Sequence, residues 1–189
     1  MNRLAAAARR HPGLSFVAVP CTVLVLALLA LWPTPHPTHN LARTAGADVA
    51  VVAQNRPAPD FSRPLLSGAG DVTLRQMHGN VLVVNFWASW CAACRNEVPQ
   101  LAALARQQRD VVFLGVDEQD TRSAGQAFIR RFRPGYRSVS DPGGSLLRAF
   151  RSIGVPSTFI VDRNGQIRYQ ALGTVSAAAL SHAVAQLAH

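Results

Sequence analysis

The chain has 189 residues, of which 49% are hydrophobic and 15% charged, and its formal net charge is +9. This composition excludes wholesale disorder and collagen-like structure, and the length suffices for one buried domain with an appendage. The chain contains no lysine, so Schiff-base chemistry and a phosphate-loop lysine are excluded as well.

The first segment with a clear prediction is the uncharged apolar run Leu14–Trp32. At about 1.5 Å per residue, its nineteen residues nearly cross a hydrocarbon core of about 30 Å. Arginines precede the run, and none follows it until Arg43, so residues 1–13 are predicted to be cytoplasmic and the remainder extracytoplasmic. A cleaved signal peptide is the alternative, but the run is long for one and no small-residue cleavage site follows directly.

Residues 33–55 are rich in Pro, Thr, Ala and His and show no sustained periodicity, which predicts a tether. Residues 56–189 are predicted to form the folded domain. Its densest basic group is typical of a solvated helix face, with anionic lipid or an acidic partner as alternatives. That group comprises Arg130, Arg131, Arg133 and Arg137. Because no basic stripe dominates, no nucleic-acid partner is predicted.

Two short apolar runs, Val81–Phe86 and Val111–Val116, predict central strands that are covered on both faces. Between them, apolar residues recur at helical spacing, which predicts a strand-helix-strand unit with a right-handed crossover. Those residues are Val98, Leu101, Ala102, Leu104 and Ala105. Further helices are predicted around Ala127–Phe132 and over Gly144–Phe150.

The C-terminal part of the domain predicts a hairpin followed by a helix. Strands over Thr158–Asp162 and Gln166–Ala171 flank Arg163-Asn164-Gly165, and Asn-Gly suits a type I′ turn. A last helix is predicted over Ser176–Ala188, with Ser176 as its N-cap. Parallel strands, an antiparallel hairpin and flanking helices together predict an α/β domain with a mixed sheet.

The chemistry of the chain converges on Cys91 and Cys94. Because a helix is predicted to begin near Cys91, its unpaired N–H groups and positive terminus favour a thiolate there. In Cys-x-x-Cys settings, the pKa of the first thiol falls to about 3.5–7.5, so Cys91 is predicted to be the exposed nucleophile. Cys94, one turn later, is placed to close a disulfide as the shielded resolving thiol. A structural zinc site needs four ligands, and no second pair is present, so no metal is predicted.

The segment Trp90–Pro99, together with the preceding Trp87, resembles the active-site segment of TlpA- and ResA-type thioredoxin-fold proteins. Ala58-Pro59-Asp60-Phe61 resembles the first motif of that family, and Gly154–Phe159 resembles its cis-proline segment. Members are membrane-tethered extracytoplasmic thiol-disulfide oxidoreductases, and some serve cytochrome c maturation. The resemblance implies a thioredoxin-like fold whose only redox group is the Cys91–Cys94 disulfide, without a further cofactor.

The resemblance also assigns supporting roles around the cysteines. It implies that Val155-Pro156 is a cis bond facing the cysteine pair, next to backbone that binds an extended substrate, and that Pro99 bends the active-site helix. Trp90 belongs to the same substrate-binding surface. Glu97 matches a Cys-x-x-Glu pattern, which suits either a surface position or tuning of the thiols.

One departure from thioredoxin itself is informative. Asn85 stands where thioredoxin has a buried aspartate that accepts the proton of the resolving thiol. We therefore consider Asp117, Glu118 and Asp120, just beyond the neighbouring strand, as proton acceptors for Cys94, or alternatively as a solvated loop.

The sequence thus predicts a reductase that passes electrons from a membrane donor to disulfides of exported proteins, with apocytochrome c as one target. A disulfide oxidase is the first alternative, because exported space is oxidising. A peroxiredoxin-like peroxidase and a non-catalytic binding module are the others. The Ala92-Ala93 spacer lacks the histidine of strongly oxidising proteins, which favours the reductase.

Overall fold

The computed structural model describes residues 50–187 of the chain. The predicted span Leu14–Trp32 and the tether as far as residue 49 lie outside this part. Among the described residues, no helix is long and apolar enough to cross a bilayer.

A six-stranded sheet forms the centre of the domain, and two short strands pair with each other in a second sheet. In chain order the strands are β1 (Val52–Pro57), β2 (Ser62–Pro64), β3 (Asp71–Thr73), β4 (Val81–Trp87), β5 (Val111–Glu118), β6 (Arg137–Asp141), β7 (Ser157–Val161) and β8 (Gln166–Leu172). The large sheet has the order β1-β8-β7-β4-β5-β6, and β2 pairs with β3. Strands β4, β5 and β6 are parallel, whereas β7, β8 and β1 pair antiparallel, which confirms the predicted mixed sheet.

Helices cover both faces of the large sheet. They are a 3-10 helix (Leu74–Met77), α1 (Ala92–Gln107), α2 (Arg122–Phe132), α3 (Ser145–Ala149) and α4 (Ala177–Ala185). On one face, Val83 of β4 packs in a cluster with Leu101 of α1 and Leu180 of α4. On the other face, the neighbouring Val84 packs in a cluster with residues of the 3-10 helix and α3. Burial on both faces explains why β4 reads as an unbroken apolar run.

Aromatic packing fixes the end of β4 at which the cysteine motif begins. The ring of Phe86 lies edge-on to Phe150 and Phe159, with centroids 5.2 and 5.7 Å away. Trp87, on the opposite face, stacks on Phe128 of α2 with a centroid distance of 4.4 Å. Each such pair adds about 0.5–1.5 kcal/mol to the burial of its surface. The strand end is therefore held from both sides.

The domain begins earlier than the sequence predicted. Strand β1 starts at Val52, so the last four residues of the predicted tether 33–55 belong to the sheet. β1 is an edge strand that pairs only with β8 in the described part of the chain, and most of its side chains are exposed or half-buried. Because such a strand needs few apolar residues, its polar sequence gave no strand signal.

The hairpin between β7 and β8 forms as predicted, but its turn type is different. Of residues 163–165, only Gly165 has a positive φ, 78°, whereas a type I′ turn needs positive φ at both central residues. The Asp162 carboxylate accepts hydrogen bonds from the N–H groups of Asn164 and Gln166, both at 2.9 Å. These bonds stabilise a three-residue loop with glycine in the left-handed position.

The last helix starts where the sequence predicted. The Ser176 hydroxyl accepts a hydrogen bond from the N–H of Ala179 at 3.3 Å, which caps α4. The helix ends at Ala185, before the predicted end at Ala188, which lies outside the described residues.

Candidate active site

Cys91 and Cys94 form a disulfide at the start of α1, immediately after the buried strand β4. Their sulfur atoms are 2.11 Å apart and their Cα atoms 5.3 Å apart. Cys91 is the N-cap of α1, and its sulfur accepts a hydrogen bond from the Cys94 N–H at 3.1 Å. The first sulfur therefore lies at the positive end of a sixteen-residue helix, where a thiolate is stabilised.

The two cysteines differ in their access to solvent. Cys91 is 6% exposed and Cys94 is fully buried at 0%. Cys94 is shielded as predicted, whereas Cys91, predicted to be the exposed thiol, is also buried in the oxidised protein. Both pack with Trp87, Val98 and Phe128, whose apolar side chains surround the disulfide.

Glu97, three residues after Cys94 on α1, is completely buried. Residues i and i+3 lie on the same face of a helix, so the carboxyl group follows Cys94 into the interior. Its two oxygens accept hydrogen bonds from the Asn85 side-chain amide at 3.1 Å and from the Val175 N–H at 2.9 Å. The Asn85 amide also donates to the Thr158 hydroxyl at 3.0 Å. Asn85 thus positions a buried carboxyl group.

Burial raises the pKa of Glu97 to about 6, and the hydrogen bonds from Val175 and Asn85 partly oppose the rise. This value lies close to neutral pH, where a carboxylate is an effective general base. The raised pKa of Glu97 also reduces the stability of the folded state near neutral pH, because Glu97 has a lower pKa in the unfolded chain. The folded state therefore loses up to about 2 kcal/mol of stability as the pH rises from 4.5 to about 6.

The segment that resembles a cis-proline motif has the predicted backbone. Val155-Pro156 is a cis peptide, and the half-buried Val155 side chain packs against the cluster that holds the disulfide. Within residues 50–187, no hydrogen bond uses the backbone N–H or carbonyl of Val155. Both groups therefore remain available to an extended chain that passes over the disulfide.

Two exposed apolar side chains come from the loops that carry these motifs. Trp90, directly before Cys91, is 58% exposed, and Ile153, two residues before Val155, is 95% exposed. The Trp90 indole N–H points to the Gln119 carbonyl at 3.4 Å. Gln119 has a φ of 47°, in the left-handed region that is uncommon for a residue other than glycine.

Asp117, at the end of β5, is 1% exposed and has no hydrogen-bond donor among the described residues. Burial raises its pKa to about 8, and the nearby Asp120 carboxylate adds to the rise. Asp120 itself accepts a hydrogen bond from the Ser89 N–H at 2.8 Å, which supports the turn before Trp90.

Glu118 is buried as well, but on the opposite face of the sheet, because successive strand residues alternate in direction. Burial and the nearby Asp141 raise its pKa to about 7. No described group of three His, Cys, Asp or Glu side chains could hold a metal ion. Of the acids considered from sequence, the structure therefore brings Asp117 and Asp120 to the cysteine face, and it adds Glu97 as the buried acid on the cysteine helix itself.

Comparison with known proteins agrees with this geometry. The family model for the AhpC/TSA family matches residues 55–170. The thiol:disulfide interchange protein DsbE of Allochromatium vinosum is 37% identical over 65% of this chain and 68% of its own length. The thiol-disulfide oxidoreductase ResA of Geobacillus thermodenitrificans is 30% identical over 82% of this chain and 86% of its own.

A secreted disulfide oxidoreductase of Mycobacterium tuberculosis, described as homologous to DsbE, is similar in structure. Its TM-score is 0.62 at 25% identity, and the match covers 67% of this chain and 96% of that one. None of these relatives favours the peroxidase or the binding module. The chain belongs to the AhpC/TSA family and is a thiol-disulfide oxidoreductase with a thioredoxin-like fold.

Proposed function

We propose that the protein is an extracytoplasmic disulfide reductase in which Cys91 attacks, Cys94 resolves and Glu97 accepts the Cys94 proton. The observation that carries this proposal is the buried Glu97 carboxyl group, one helical turn behind the shielded cysteine. A shielded thiol has no access to water and needs an internal base to become a nucleophile.

The reaction begins with the reduced protein. The Cys91 thiolate attacks one sulfur of a partner disulfide, and the partner's other sulfur leaves as a thiolate and takes a proton from water. A mixed disulfide now joins Cys91 to the partner. Cys94 then transfers its proton to Glu97 and attacks the Cys91 sulfur, which releases the second partner thiolate. Two electrons have passed to the partner, and the Cys91–Cys94 disulfide of this structure is the product.

The exposed apolar side chains beside the disulfide suit the docking of an unfolded or extended partner. Trp90 and Ile153 offer apolar surface, and the free backbone groups of Val155 offer one strand-like pairing. The Val155 groups lie next to Pro156, and the Val155 side chain packs against the cluster that contains both cysteines. Such a surface recognises main chain rather than a particular sequence, which fits several exported targets.

The direction of electron flow follows from the charges around the thiols. The helix terminus stabilises the Cys91 thiolate, but the buried Glu97 carboxylate opposes a second negative charge beneath it. We expect an equilibrium reduction potential below about −200 mV, between the values typical of glutaredoxins and thioredoxin. Equilibration with glutathione redox buffers measures it. A potential near −120 mV would instead make the protein a disulfide oxidase.

The proposed location rests on the apolar run Leu14–Trp32 and the arginines before it. This segment would hold the domain outside the cell membrane and place it near a membrane electron donor. Protease added to intact spheroplasts should digest the domain and spare the N-terminus. A domain that resists digestion until the membrane is lysed would contradict the anchor.

The proposed targets are disulfides of exported proteins, with apocytochrome c among them. Support comes from the resemblance to TlpA- and ResA-type proteins and from relatives named for thiol:disulfide interchange. A c-type apocytochrome presents two cysteines in a short, unfolded segment. That form of substrate matches a docking surface built from an exposed tryptophan and free backbone groups.

A further inference from the structure

A groove separates the start of α1 from α2, beside the cysteine turn. Its volume is about 460 Å³, in the range of binding sites for small groups. Phe128 and Phe132 of α2 supply much of its apolar lining, and Ser89, Arg95 and Arg131 supply its polar lining. The inner lining of the groove is therefore apolar, and its rim is positively charged because both arginines are exposed to solvent.

The two arginines are held in place without an anionic partner among the described residues. Arg95 donates from Nη2 and Nε to the Ser89 carbonyl, at 2.8 and 3.3 Å. The Arg131 guanidinium carbon lies 5.7 Å from the centre of the Phe132 ring. Neither arginine has a carboxylate within 4 Å among the described residues. Held guanidinium groups that lack an anionic partner are suited to bind a carboxylate, because each offers several N–H donors in a plane.

The surrounding charges favour the same ligand. From Arg56 onward the sequence has fifteen arginines and nine acidic residues. Four of those acids, Glu97, Asp117, Glu118 and Asp141, are buried. Asp120, which lies beside the groove lining, is already bonded to the Ser89 N–H. The domain therefore has a net positive charge, and an acidic chain would be attracted to the exposed arginines of this face.

Two residues of the groove lining flank Cys91 closely in the sequence. Ser89 precedes Cys91 by two residues, and Arg95 follows it by four, which is about one helical turn. An extended chain advances about 3.3 Å per residue. A partner whose cysteine is joined to Cys91 can therefore place a side chain about two to four residues away into the groove.

We infer that this groove binds an acidic residue that flanks the reactive cysteine of the partner protein, with its carboxylate between Arg95 and Arg131. The inference deepens the proposed reductase function, because it names the class of disulfide that the enzyme prefers. A membrane of anionic lipid is the other source of negative charge. A concave groove with an aromatic lining fits one inserted side chain better than a flat layer of headgroups.

The test uses two synthetic peptides that each contain one disulfide and differ only in their flanking residues, two Glu in one and two Gln in the other. Reduced full-length protein is mixed with each peptide, and the second-order rate of oxidation is followed by tryptophan fluorescence. We expect the Glu peptide to react about tenfold faster at low salt. The preference should largely disappear in 0.5 M NaCl, where exposed charges are screened.

Two variants with the same change of charge test whether the preference for the Glu peptide depends on the groove. Arg131→Glu should abolish or reverse the preference for the Glu peptide. Arg109→Glu alters an exposed arginine in the loop after α1, away from the groove lining, and should retain the preference. Equal rates for both peptides with the wild-type protein, or equal losses in the two variants, would overturn the inference.

Two further outcomes separate this inference from its alternatives. If the wild-type protein reduces neither peptide, the proposed reductase function itself fails. Phosphatidylglycerol vesicles test the membrane alternative by co-sedimentation. Arg131-dependent vesicle binding without any preference between the peptides would assign the groove to lipid and overturn the peptide site.

Discussion

Cys94→Ser should convert the protein from a turnover enzyme into a trap for its partners. Cys91 retains its place at the helix N-terminus and still attacks, but a serine hydroxyl does not displace a thiolate from sulfur. We expect steady-state reduction of a protein disulfide to fall at least a thousandfold, while one equivalent of mixed disulfide forms at a rate close to wild type. Non-reducing gels and intact mass measure both quantities.

Cys91→Ser is the matched control for the trap. The remaining Cys94 is completely buried and is not the N-cap of the helix, so it should form little adduct. Turnover should fall as far as in Cys94→Ser, but without a burst of mixed disulfide. Equal trapping by the two variants would contradict the assigned order of attack.

Glu97→Gln should slow the release of the partner about tenfold to a hundredfold, because Cys94 loses its internal base. In the wild-type protein, the rate of release should rise with pH as Glu97 ionises near pH 6. In Glu97→Gln, the rate of partner release should show no rise near pH 6 and should increase only at higher pH, where Cys94 itself ionises. Stopped-flow measurement of release between pH 5 and 9 resolves the two profiles.

Two other buried acids provide controls for the Glu97 result. Glu118→Gln makes the same change on the opposite face of the sheet and should leave the step near pH 6 intact. Asp117→Asn removes the buried acid on the cysteine face that lies against Asp120. If Asp117→Asn removes the step and Glu97→Gln does not, Asp117 is the proton acceptor and the assignment to Glu97 is wrong.

The sequence predicted the frame of the site well, because that frame depends on strong local signals. The unbroken apolar run of β4, the helix start at Cys91 and the proline of the Val155-Pro156 bond are all visible in the residues themselves. Edge elements were harder to predict. Strand β1 has three polar residues among its six, in no alternating pattern, and β2 and β3 have three residues each, too few for any periodicity to show.

The sequence also left the position of Glu97 open, although a signal was present. The buried residues of α1 include Cys94, Glu97, Val98 and Leu101, and this is the spacing of one helix face. A glutamate on that stripe is a core residue, whose ionised form is costly to bury. Asp117 and Glu118 resembled a polar loop, but pairing with β6 extends β5 through both of them.

We expect the sulfur of Cys91 to be the atom that joins the enzyme to its partner. The most direct test is to express Cys94→Ser in the native cell, isolate the mixed disulfides and map the linked cysteines by mass spectrometry. Cys91 should be linked to cysteines of exported proteins, in adducts that reductant releases and that Cys91→Ser does not form. Adducts through other residues, or their absence from cells that contain the folded variant, would contradict it.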